Sequence, residues 1–371
     1  MIGERHELSQ PLKIFGTLVK EVVQSNLCMF CGACIAACPV NVLFPTEDEK
    51  PTIKGICVLC QLCYYSCPRV ELPRDGIETW MFKRARSKEE TDLGIIRESH
   101  VARSKDEAVL KVVQNGGVVT SLLAHAIDTG LVDYAVGTTR TDEKPWRPVP
   151  IEMKRLEQLL AAAGTKCSAS ASLSKVKDAA LGYPDSKLAF VGLPCQIQAL
   201  RRVSTSTFGP RKLGEWVELA IGLFCNNSYH HNKLVIDYLK ARKNIDLQAT
   251  TKMSLQARDG RLRVYQGERV VLESPTKEIE PCLLEACSKC DDFTSELADI
   301  SVGADGAPDG WCVVLVRTEK GERLVRSAVE KNIIEAKPIA GDGLSLVREI
   351  SSRKKGREAK YISHSSVTVP D

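Results

Sequence analysis

Apolar residues along this chain take up a regular rhythm from about residue 95. "DEAVLKVVQ" has helical spacing. "NGGVVTSLLAHAIDTGLVDYAVGTT" then reads as a Gly-Gly turn, an apolar helix, a stop at Gly130 and the strand "YAVGT". "RLEQLLAAAG" (155–164) is a further helix that ends at Gly164. "KLAFVGLPCQIQALRRV" is a buried strand, a Gly-Pro turn and a helix, and "VELAIGLFC" is a second buried strand. "GRLRVYQGERVVLES" alternates as a hairpin does. "ADISVGADGAPDGWCVVLVRTEKGERLVRSAVE" gives strand, Gly-rich loop, strand, turn and helix. Helices alternating with strands predict an α/β domain with a mixed sheet. Residues 1–20 read as a short lead-in, and the charged "MFKRARSKEETDLG" (81–94) as a linker or solvated helix. "SSRKKGREAKYISHSSVTVPD" (351–371) reads as a basic, solvated tail, with docking to a partner as the alternative.

Composition narrows the class. A length of 371 residues suits two or three domains, and 43% apolar residues supply a core that Leu, Val, Ile and Ala must fill, since aromatics are only 5%. The 51 basic and 47 acidic residues nearly cancel, which argues against a nucleic-acid binder. "MIGERHELSQPLKIFG" has no apolar stretch of the kind a signal peptide needs, and no run of about 18 apolar residues predicts a membrane span. Fifteen cysteines without a secretion signal point to metal ligation in a reducing cytoplasm, with peripheral attachment to a membrane complex left open. Neither a G-x-G-x-x-G after a strand nor a P-loop is present, so a standard dinucleotide or phosphate loop is not expected.

The chemistry is concentrated in "CMFCGACIAACP" and its echo "CVLCQLCYYSCP", each spaced C-x2-C-x2-C-x3-C-P. This is the bacterial-type ferredoxin pattern, in which the fourth cysteine of a run ligates the other cluster. The spacing assigns one [4Fe–4S] cluster to Cys28, Cys31, Cys34 and Cys67, and the other to Cys57, Cys60, Cys63 and Cys38. Gly32 is expected to let the backbone pass close to the cluster sulfurs. Zinc would favour separated C-x2-C pairs and is the weaker reading.

Seven cysteines follow. Cys195 and Cys225 fall at the ends of buried strands, where ligands gather in open α/β sheets. Cys287 and Cys290 form a C-x2-C pair. These four are candidates for a third [4Fe–4S] cluster, against the alternative of buried free thiols. Cys282 is a possible substitute for any of them, Cys312 is expected to pack in an apolar strand, and Cys167 has no partner in sequence.

Taken in order, the double ferredoxin run, "QNGGVVTSLLAHAIDTGLVD", "GTKCSAS", "VGLPCQIQAL", "GLFCNN", "CSKCDDFTSELADISVGADG" and "GWCVVLVRTEKG" resemble the beta subunit of coenzyme F420 hydrogenase/dehydrogenase, including the input subunit of archaeal F420H2 dehydrogenases. The resemblance covers nearly all of residues 20–330. It implies FAD, the deazaflavin coenzyme F420 as a hydride-carrying substrate, and third-cluster ligands at Cys195, Cys225, Cys287 and Cys290. It also implies that Asn115, Gly116, Gly117, Val118 and Thr120 wrap the flavin. Thr165 and Lys166 would lie against its ring, with Lys166 stabilising the reduced, anionic form.

The organisation expected is an α/β chain with α+β elements. A bacterial-type 2[4Fe–4S] ferredoxin domain (1–80) and a linker (81–94) precede a flavin-binding mixed α/β domain (95–350) with a third cluster, and a basic tail (351–371) follows. The activity expected is hydride exchange between coenzyme F420 and FAD, with single electrons passed through the clusters to a partner. That partner is of the hydrogenase, heterodisulfide reductase, formate dehydrogenase or membrane dehydrogenase type. Alternatives are a ferredoxin-fed reductase of another organic substrate, since chlorophyll-pathway reductases share this fold, and a protein that only transfers electrons. Arg201, Arg202, Arg211 and Lys212 read first as a solvated basic face and second as contacts for the acidic coenzyme tail. His230 and His231 read as surface residues.

Overall fold

The computed structural model describes the backbone of residues 12–365 and the side chains up to residue 357 apart from Gln256. Residues 1–11 of the lead-in and 366–371 of the tail lie outside that range. The N-terminal part is built around a small hairpin of β1 (Leu43–Pro45) and β2 (Pro51–Ile53) and the short helices Ala33–Ala36 and Leu62–Tyr65. Phe15, Leu18, Val22, Leu43 and Tyr64 pack with Cys38 and Cys63 into its core.

The main sheet has eight strands: β3 (Glu98–Ser104), β4 (Tyr134–Thr139), β5 (Val149–Met153), β6 (Leu188–Gly192), β7 (Val217–Leu223), β11 (Ile300–Gly303), β12 (Cys312–Val316) and β13 (Ile334–Pro338). Their order is β13-β3-β12-β11-β7-β6-β4-β5. The four central strands, β11, β7, β6 and β4, run parallel, and the outer strands pair antiparallel, so the sheet is mixed as expected. The period-2 alternation sets its two faces. Ala135, Ala189, Leu219, Ile221, Val314 and Val316 pack under the helices Val118–Asp128 and Glu319–Glu330. On the other face, Tyr134, Val136, Leu188 and Phe190 meet the helices Ser172–Gly182 and Pro194–Thr205, together with Ala33 and Ala36 of the cysteine-rich part. A separate meander, β8 (Lys252–Gln256), β9 (Arg261–Gln266) and β10 (Arg269–Pro275), packs on the helical segment Asn232–Arg242.

The cysteine-rich part is set deep against the sheet domain. Gly32 has φ +87°, and a Cβ there would lie 2.5 Å from the Ala171 carbonyl oxygen. The glycine therefore serves the approach of two chain segments. At the counterpart position in the second run, Gln61 holds the same left-handed backbone at φ +65°. Within 81–94, Arg86 is half-buried against the buried Glu78 and Glu296, and Leu93 is buried, so that stretch is held in place and is not solvated throughout. Residues 351–357 likewise continue the helix Gly343–Ser365, with Ser351 and Lys354 buried.

Candidate functional site

Both cysteine runs turn alike. Phe30 and Gly32 in the first, and Leu59 and Gln61 in the second, have positive φ. These turns gather three cysteines before a short helix carries the fourth away. Cys67 lines one cavity with Cys28, Cys31 and Cys34. In the second set, burial and then Cys60 push the Cys63 thiol up to about 12, with Cys57 and Cys38 adding to the repulsion. The geometry is thus interleaved. Among the described residues no group of three or more His, Cys, Asp or Glu side chains is arranged around a single metal ion's position. A zinc site would draw its sulfurs to about 2.3 Å from one point, whereas the first set surrounds a cavity. Thiols this close could deprotonate together only around a cationic centre, which an iron–sulfur cubane would supply, so the donor sets fit that group.

A third set forms inside the sheet domain. Cys195 opens the helix after β6, Cys225 follows β7, and Cys287 and Cys290 come from the turn around Glu285–Lys289. All four line one cavity with Met29 and Lys354. Burial, with Cys225 and Cys290 adding to it, pushes the Cys287 thiol up to about 12. Cys282 is elsewhere: it packs with Tyr238 and Leu239, and its thiol donates to the Lys233 carbonyl at 3.4 Å. Cys312 is buried in β12 as expected, but its sulfur faces the backbone N–H groups of Gly116, Val118 and Gly117.

A cleft of about 600 Å³ opens at the C-terminal ends of β4, β6, β7 and β11, the place where an open α/β sheet gathers ligands. Asn115, Gly117, Val118, Thr120, Thr165 and Lys166 line it, as do Cys167, Ser168, Asn226, Asn227, Arg353 and Arg357. Gly116 turns the other way. Its Cβ would meet the Ala102 carbonyl oxygen at 2.7 Å and the Cys312 nitrogen at 3.1 Å, so it seats the turn against β3 and β12. Gly117, at φ +70°, starts the helix Val118–Asp128, whose N-terminus carries no side-chain cap and whose dipole suits an anion. The buried Ser168 hydroxyl has no hydrogen-bond partner. A cleft of this size, with an orphaned hydroxyl and a helix N-terminus on its wall, fits a flavin nucleotide.

Lys166 is half-buried, and desolvation, then Arg140, lower its pKa to about 8. Its ammonium donates to the carbonyls of Ala162, Ala163 and Gly164, so it also fixes the loop that it belongs to. The basic and histidine readings change. Arg201 and Arg202 are buried in ion pairs with Asp299 and Glu71 rather than solvated, while Arg211 and Lys212 are exposed. His230 is held between Glu49 at 2.6 Å and Glu285 at 2.8 Å, and these hydrogen bonds raise its pKa; His231 is buried. Both histidines sit where the cysteine-rich hairpin meets the sheet domain. Sequence reasoning missed Asn226, Asn227, Arg353, Arg357 and Lys354. "GLFCNN" marked the first two by position beside Cys225, and nothing in the basic C-terminal stretch distinguished the rest.

The cavities adjoin. Met29 lines both the first ferredoxin set and the third set, and Cys31 is close enough to Cys195 to raise its pKa. Ser170, Leu193, Gln196, Cys225 and Ser228 line both the third set and the cleft.

Residues 99–177 match the N-terminal model and 185–342 the C-terminal model of the coenzyme F420 hydrogenase/dehydrogenase beta subunit, and 21–44 match a 4Fe–4S binding domain. The chain is 34% identical to the beta subunit of the coenzyme F420 hydrogenase of Methanothermobacter thermautotrophicus over 73% of this chain and 95% of that one. It is 31% identical to a subunit of the F(420)H(2) dehydrogenase of Methanosarcina mazei over 92% and 93%. It is 31% identical to a coenzyme F420-dependent sulfite reductase of Methanocaldococcus jannaschii, of which it spans 51%. A chain in the F420-reducing [NiFe] hydrogenase complex of Methanosarcina barkeri superposes with a TM-score of 0.69 at 31% identity, over 73% of this chain and 93% of that one. Among the described residues no helix is long and apolar enough to cross a membrane.

Proposed function

Because this chain belongs to the family of coenzyme F420 hydrogenase/dehydrogenase beta subunits, we propose that it exchanges hydride with coenzyme F420 and passes the electrons singly to a partner oxidoreductase. The observation that carries this reading is the unbroken adjacency of the cleft, the third cysteine set and the first ferredoxin set. Bound in the cleft, FAD would supply the exchange between a two-electron hydride carrier and one-electron clusters. Gly117 and the helix N-terminus behind it would hold the anionic part of the cofactor, and Thr165 and Lys166 would lie against its ring. Cys195, Cys225, Cys287 and Cys290 hold the cluster next to it. Cys28, Cys31, Cys34 and Cys67 hold the next, and Cys57, Cys60, Cys63 and Cys38 the outermost. Cys60 is exposed, and Ile56, Val58 and Leu59 beside it are exposed as well. That edge is where electrons leave for, or arrive from, a hydrogenase, dehydrogenase or sulfite-reductase-type partner.

The test is to purify the protein without oxygen and mix it with reduced coenzyme F420 and a viologen dye. Oxidised coenzyme and reduced dye are expected to accumulate together. If neither forms, bound flavin with about twelve irons per chain, four per cluster, supports a ferredoxin-fed reductase of another substrate. About eight irons without flavin would leave a protein that only transfers electrons.

A further inference from the structure

Lys354 is 2% exposed and lines the cavity of the third cysteine set. Its ammonium donates to the carbonyl of Cys225 at 2.5 Å and to that of Asp292 at 2.8 Å. No carboxylate lies within ion-pair distance of it among the described residues. The Asp292 carboxylate is turned away, accepting from the backbone of Ser295 and Glu296 and from Gln198. The adjacent Lys355, by contrast, pairs with Glu296. A lysine buried without an anion is strongly unfavourable. The groups that favour the charge of Lys354 are the thiols of Cys290, Cys225 and Cys287, anionic once they ligate a cluster, and after them the Asp292 carboxylate, which lies beyond ion-pair distance.

We infer that Lys354 is the built-in counter-charge of the third cluster, a positioning residue that raises that cluster's reduction potential and ties the C-terminal helix to its ligand loops. The inference rests on the third-cluster reading above. Adding an electron to a four-thiolate cluster makes it more negative, and a fixed cation a few ångströms away favours that form. The same helix grips the Cys225 loop again through Arg357, which donates to Asn226 and Asn227. By raising that potential, Lys354 would favour passage of single electrons from a flavin in the cleft to the cluster over their return.

The test is an EPR-monitored redox titration of the reconstituted full chain, wild type against K354M and K354R, with iron counted in each. In K354M one of three midpoints is expected to shift to a more negative value while the other two stay, and K354R is expected to restore it. Three unshifted midpoints in K354M with about twelve irons per chain would overturn the counter-charge. If K354M sheds about four irons, retention by K354R supports a charge role, whereas equal loss in K354R shows that shape matters and overturns it. About eight irons in the wild type would remove the third cluster itself, and the inference with it.

Discussion

Arg74 and Glu296 meet at 2.9 Å, joining the helix that follows the second cysteine run to the loop that follows Cys290. Glu296 is fully buried and also pairs with Arg86 and Lys355. Burial alone would raise its pKa, but Lys355, Arg74 and Arg86 outweigh burial and hold it below the ordinary carboxylate value. A depressed carboxylate contributes stability that is complete above its unfolded pKa of about 4.3 and lost as pH falls through the folded value. Glu296→Gln leaves the half-buried Lys355 without a carboxylate and takes one of two from Arg74 and Arg86, which keep Asp291 and Glu78, and is expected to cost about 3 kcal/mol at pH 7 in urea unfolding. The deficit should narrow below about pH 4. A deficit independent of pH would show that the carboxylate's charge is not what holds the two parts together.

The interleaved cysteine sets make a specific prediction about iron. Cys67→Ser is expected to remove the cluster that the first run holds, lowering iron by about four per chain. Cys195→Ser is expected to remove a different cluster with the same loss. Cys282→Ser, outside all three sets, should leave the iron unchanged. Iron counts paired with EPR spectra of the reduced variants decide this, and identical spectra for Cys67→Ser and Cys195→Ser would contradict two separate sets.

The Gly-Gly turn can be tested against a matched control. Gly117 and Gly130 share a left-handed φ, +70° and +69°, but a Cβ at Gly117 would meet the Val109 side chain at 2.7 Å and one at Gly130 would meet nothing within 4 Å. Both alanine variants carry the backbone penalty of about 1–2 kcal/mol. Only Gly117→Ala should also lower the flavin recovered per chain, since it alone displaces the cleft wall. Equal flavin content in the two variants would place the cofactor elsewhere.

Much of this was legible in the sequence because it rests on local signals. The cysteine spacing carries the ferredoxin sets, and the apolar strands ending at Cys195 and Cys225 carry half of the third. What was not legible depends on burial of charge by distant segments. Arg201 and Arg202 read as a basic face because sequence does not reveal Asp299 or Glu71 beside them. Lys354 read as part of a solvated tail, since a single lysine in a basic stretch carries no sign of the cavity it enters. β3 and β13, the antiparallel strands on one side of the sheet, escaped notice. Their burial is partial and irregular, so neither alternation nor a continuous apolar run announces them.

Lys166 gives the sharpest kinetic prediction. With its pKa lowered to about 8, first by burial and then by Arg140, it is charged below that pH and neutral above it. Against a flavin bound as proposed, the charged form would favour the reduced anion. A charged hydrogen bond contributes about 1.5–3 kcal/mol, so flavin reduction by reduced coenzyme F420 is expected to slow about tenfold to a hundredfold as pH rises through about 8. Lys166→Arg keeps its charge and should flatten the profile. Lys166→Met should be slow at every pH. The measurement is a stopped-flow rate against pH with flavin content matched across variants. A Lys166→Met enzyme as fast as the wild type at pH 7 would reduce Lys166 to its other role, that of tethering the carbonyls of Ala162, Ala163 and Gly164 at the edge of the cleft.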